Sequence, residues 1–122
     1  MGPSPGGRLA NAARTADARA EQSRLRFEQT VLQAFREASD ALVAVRTTRD
    51  QRVAQQSQVV ALRKGAELAD IRYRGGVSSY LEVLDAQRQL FSAELGLSQT
   101  QLLELSSVVG LYRALGGSWR MD

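Results

Sequence analysis

Cysteine and histidine are both missing from this 122-residue chain. Their absence removes disulfides, thiolate or imidazole metal sites, and any nucleophilic machinery built on those side chains. The only two prolines, Pro3 and Pro5, stand at the start. Everything after them is free of the residue that breaks helix interiors. Aromatic residues make up 6% of the chain, too few for a row of stacking platforms along a basic stripe, so no nucleic-acid partner is expected. No apolar run approaches the roughly 18 residues of a membrane-spanning helix. The opening Met1–Arg8 stretch has no apolar core, so it is not a signal peptide, and no targeting signal is expected in this chain. No glycine-rich phosphate loop occurs either.

What is there is helix-forming. Ala, Arg, Gln, Glu and Leu dominate from Arg8 onward, and all favour helix. The formal net charge is +3, and every basic residue but Lys64 is an arginine, spread along the chain rather than clustered. Residues 1–7 are expected to be a disordered leader or a strand remnant. A long helix is expected over 8–73, weakened only at Gly65 by about 1 kcal/mol relative to alanine. A turn follows at 74–78, a second helix at 79–116 and a short tail at 117–122, where Gly116-Gly117 supplies a helix stop and Trp119 resembles a docking residue. A helix as long as the first implies a coiled coil or a repeat stack.

The apolar spacing agrees. Val31, Leu32, Phe35, Ala38, Leu42 and Val45 form a seam, which turns polar at Arg49, Arg52 and Gln56. It is apolar again at Val59, Leu62, Ala66, Ala69 and Tyr73. In the second helix, Leu81, Leu84, Arg88, Phe91, Leu95, Ser98, Leu102, Leu105, Val109 and Tyr112 alternate steps of three and four, a sustained heptad signal. Val83, Leu90, Leu97 and Leu111 form a flanking stripe. Two faces this wide cannot bury each other, so the hairpin needs further partners. The fold class is therefore all-α, a long antiparallel coiled-coil hairpin.

Chemistry concentrates at the turn. Gly75 and Gly76 close the first helix at little steric cost. Ser79 and Glu82 fit the capping box that opens the second. Glu82 is thereby explained structurally, whereas Asp85, one turn further on, is not. As a general acid/base pair the two would need a cleft and a third converging polar group, and neighbouring residues supply neither, so the chain is not expected to be an enzyme. Arranged around an axis, the same two carboxylates would form acidic rings of the kind that favour cations in a pore. Tyr73 and Arg74, across the turn, are positioned in sequence to link to such groups.

The run Tyr73-Arg-Gly-Gly-Val-Ser-Ser-Tyr-Leu-Glu-Val-Leu-Asp-Ala86 resembles the periplasmic tip of the TolC/OprM-type outer membrane efflux proteins. Phe27-Glu-Gln-Thr-Val-Leu-Gln-Ala-Phe-Arg-Glu-Ala-Ser-Asp-Ala41 resembles that family's helix after its last barrel strand, and Gly6-Gly7-Arg8 the loop leading into it. Leu111-Tyr-Arg-Ala-Leu-Gly-Gly-Ser-Trp119 resembles the C-terminus of the NodT-type lipoprotein subgroup. The resemblance covers about residues 6–119. It implies one helical hairpin of a homotrimeric channel whose barrel strands, absent from this chain, sit in the outer membrane. The segment itself would stand in the periplasm as an excised C-terminal piece. Glu82, Asp85, Tyr73 and Ser78 match the pore entrance, with Ser78 at a position where some members carry arginine. Arg74, Gly75, Gly76 and Val77 match the tip that meets a periplasmic adaptor, itself coupled to an inner-membrane pump. Transport would be passive, through a tunnel whose entrance dilates as the hairpins untwist, with no cofactor and no catalytic step. The residues by themselves leave one alternative open, a freestanding helical-hairpin interaction protein that docks through its tip.

Overall fold

A computed structural model describes residues 5–117. It has two helices, α1 (Pro5–Arg74) and α2 (Tyr80–Gly117), joined by the turn at 75–79. Helix α1 starts at Pro5, so residues 5–7, expected as leader, are helical. Proline is well suited to this position, because the first helical turn needs no N–H donor from it. Residues 1–4 and 118–122, including Trp119, lie outside the described residues. No helix among the described residues is long and apolar enough to cross a membrane.

Residues up to Glu37 form one unit and residues from Ala38 onward another. In the first, α1 stabilises itself locally. The Thr15 and Thr30 hydroxyls donate to the carbonyls four residues earlier, at 2.9 and 2.8 Å. Arg24 pairs with Glu21 at 2.6 Å, and Gln33 donates to Glu37 at 3.2 Å. Leu25, Phe27, Val31, Leu32 and Phe35 are all exposed.

In the second unit, α1 from Ala38 runs antiparallel to α2. Thr48 meets Ser107, Arg52 meets Glu104, Arg63 meets Glu94 and Tyr73 meets Tyr80, so the partners descend along α2 as α1 ascends. The inward positions on α1 are Ala41, Val45, Thr48, Arg52, Gln55, Val59, Leu62, Ala66 and Ala69. On α2 they are Val83, Ala86, Leu90, Ala93, Leu97, Thr100, Glu104, Ser107, Leu111 and Ala114. Both sets alternate steps of three and four, the spacing of a coiled-coil seam.

This seam corrects the expected one. On α2 the stripe taken as flanking is the one that faces α1, and the main apolar stripe points away. Val83 is 2% exposed, whereas Leu81 and Tyr112 are each 73% exposed and Phe91 68%. On α1, Thr48 and Gln55 turn inward in place of Arg49 and Gln56. Small inward residues such as Ala66, Ala69, Ala86 and Ala93 let two helix backbones approach closely. The bulky outward stripe lies where a single neighbouring helix cannot reach it.

The centre of the seam is polar. Thr48 and Thr100 are buried, and Arg52 and Glu104 form an ion pair with about a fifth to a quarter of each side chain exposed. The polar stretch was legible on α1 as Arg52, but its α2 half, at Thr100, Glu104 and Ser107, went unseen.

Candidate functional site at the hairpin tip

The turn is built from backbone hydrogen bonds that its glycines permit. The Gly75 N–H donates to the Ile71 carbonyl at 2.9 Å, completing the last helical bond. The Gly76 N–H then donates to Tyr73 at 3.0 Å and the Val77 N–H to Arg72 at 2.9 Å. These two bonds are the pair that defines a Schellman ending. Gly76 supplies the left-handed residue the ending requires, with φ of 74°. Arg72 and Arg74 occupy the last turn of α1 and Glu82 the first turn of α2. Both placements complement the helix dipoles.

Helix α2 opens differently from expectation. The Glu82 N–H donates to the Ser79 main-chain carbonyl at 3.2 Å, so a backbone turn replaces the capping box. The Ser78 hydroxyl is buried and has no hydrogen-bond partner among the described residues. Val77 stands 73% exposed at the apex. Tyr73 and Tyr80 bracket the turn with ring centroids 5.2 Å apart and planes tilted by 54°. Such tilted pairs contribute about 0.5–1.5 kcal/mol beyond their buried area.

Glu82 and Asp85 lie one helical turn apart on α2, as their spacing requires, and both are exposed. They line a shallow surface depression together with Ser79, Leu81, Leu84 and Arg88. Asp85 accepts from Gln89 at 2.9 Å and from Arg88 at 3.3 Å. Arg74 pairs with Asp70 on its own helix at 3.0 Å. The expected link from Arg74 across the turn to the acidic pair is therefore not made. Tyr73 meets Tyr80 rather than a carboxylate. The partners missed in the sequence, Asp70, Tyr80, Arg88 and Gln89, follow helical spacings of three and four except for Tyr80. An aromatic residue on each side of a tight turn was the available signal for that one.

The site therefore offers an exposed loop, an aromatic pair flanking it and a carboxylate-bearing face on α2.

Comparison with known proteins adds the wider context. The family model described as outer membrane efflux protein matches residues 5–117. A probable efflux pump outer membrane protein, TtgC of Pseudomonas putida, is 47% identical over 94 residues, which is 77% of this chain and 19% of that protein. The cation efflux system protein CusC of Escherichia coli is 38% identical over 105 residues, covering 86% of this chain and 23% of that protein. A solved CusC structure superposes with a TM-score of 0.75 at 38% identity, over 80% of this chain and 28% of the other. The chain thus spans about a fifth to a quarter of the length of the curated relatives it matches.

Proposed function

The chain belongs to the outer membrane efflux protein family, and from that premise we propose that it forms tunnel wall and periplasmic entrance in an outer membrane efflux channel. The observation that carries this reading is the bulky apolar stripe on the outward side of α2, from Leu81 to Tyr112. A stripe of that length and width needs neighbouring helices, and further hairpins of a homotrimer supply them. The channel would sit in the outer membrane with this segment in the periplasm.

Two roles follow at the tip. Arg74, Gly75, Gly76 and Val77 present an exposed loop to a periplasmic adaptor, which couples the channel to an inner-membrane pump. Glu82 and Asp85, with Tyr73 and Ser78, line the entrance, and repetition around the trimer axis turns the carboxylates into rings that attract cations. Transport of drugs or other small molecules is passive in this subunit. The names of relatives mention efflux pumps and cation efflux, which supports export as the activity.

A chimera tests the reading. Residues 5–117 replace the matching segment of the Pseudomonas putida relative, in cells lacking their own channel. Restored dye efflux, with Val77→Cys crosslinking to the adaptor, is the expected result. A chimera that reaches the outer membrane at normal levels yet neither exports nor crosslinks would overturn it.

A further inference from the structure

The polar centre of the hairpin seam interrupts an otherwise small and apolar contact. Three successive inward positions on α1 are Thr48, Arg52 and Gln55, and three on α2 are Thr100, Glu104 and Ser107. The Thr48 and Ser107 hydroxyls lie 3.0 Å apart, one donating to the other. Arg52 Nε donates to Glu104 and its terminal nitrogen to Gln56 at 3.0 Å. Gln55 Oε1 is buried without a hydrogen-bond partner among the described residues. Polar groups in this setting weaken a seam relative to apolar ones of similar size.

We propose that this layer is a register lock, with Arg52 and Glu104 as the residues that fix the axial position of α2 against α1. The apolar positions beside the layer discriminate little. A shift of α2 by one heptad sets Val59 beside Leu90 instead of Leu97, and Leu62 beside Ala86 instead of Ala93, exchanges of like for like. The same shift is ruinous for the ion pair. In one direction Arg52 falls beside Leu97 and Glu104 beside Val45. In the other, Arg52 falls beside Leu111 and Glu104 beside Val59. Each shift strands two charges against apolar side chains, where desolvation goes uncompensated. A polar position in a coiled-coil seam is known to select register at a cost in stability, and this layer sets several such positions together. The inference concerns the hairpin alone and holds whether or not the channel reading does.

The test uses the full chain with spin labels at exposed Gln58 and Ser98, read by pulsed electron–electron resonance. The unsubstituted pair is expected to give one distance. Arg52→Leu with Glu104→Leu is expected to keep the helical circular dichroism signal and add a second distance population, reflecting a shift of about 10 Å along the axis. Arg52→Glu with Glu104→Arg is expected to restore the single distance. One unchanged distance in the double-leucine chain would overturn the proposal. So would loss of its helical signal, since the lock confers choice of register rather than pairing itself. Several distances in the charge-swapped chain would also count against it.

Discussion

Tyr73 near the end of α1 and Tyr80 at the start of α2 hold their rings 5.2 Å apart across a turn of five residues. The contact closes the hairpin from beneath, while the Gly76 backbone closes it from above. Replacing either tyrosine by alanine is expected to cost about 0.5–1.5 kcal/mol beyond the lost buried area. A double-mutant cycle in urea checks this. Coupling close to zero between Tyr73→Ala and Tyr80→Ala would mean the rings do not cooperate.

The two tip glycines are expected to respond oppositely to the same substitution. Gly76→Ala meets no atom within 4 Å but must hold a φ of 74°. That conformation costs an L-residue about 1–2 kcal/mol. At Gly75 an added Cβ would lie 3.4 Å from the Ile71 carbonyl, an ordinary contact, with no positive φ to maintain. Gly75→Ala should therefore be neutral or slightly stabilising through the unfolded chain. Thermal unfolding of the two variants side by side decides the matter. An equal loss in both would refute the assignment of the left-handed position to Gly76.

The two ion pairs between the helices should differ in weight. Arg63 and Glu94 are 55% and 43% exposed, and breaking an exposed pair costs about 0–1 kcal/mol. Arg52 and Glu104 keep only 24% and 21% exposure. Arg52→Ala leaves Glu104 half-buried without its cation, at a cost of about 1–3 kcal/mol. Denaturation midpoints for Arg52→Ala and Arg63→Ala provide the comparison, and a larger effect at Arg63 would contradict the burial argument.

Much of the hairpin was legible in the sequence because helix propensity, the missing proline and the Gly75-Gly76 stop all point the same way. Orientation was harder. Periodicity reports that an apolar stripe exists, but not which neighbour it meets. Leu81, Phe91 and Tyr112 form the stronger stripe, yet the structure turns Val83, Ala86 and Leu90 toward α1. Small residues make the closer contact inside the chain, and large ones are left for neighbours outside it. Glu104 escaped notice for a related reason, since an acidic residue in a heptad reads as surface until its partner Arg52 is placed opposite. At the tip the residue set was legible, but the bonding was not. Ser79 contributes its backbone carbonyl instead of its hydroxyl, and Arg74 turns back to Asp70.

The most direct test of the channel role is single-channel conductance in planar bilayers, using the chimera that carries residues 5–117 with and without Asp85→Ala. An acidic ring at the entrance predicts that Asp85→Ala enlarges the conductance or weakens block by divalent cations. Asp85 also pairs with Arg88 at 3.3 Å, so its removal leaves the Arg88 charge uncompensated there, which likewise disfavours cations. Conductance and cation block identical to the unsubstituted chimera would contradict the placement of this face at the pore.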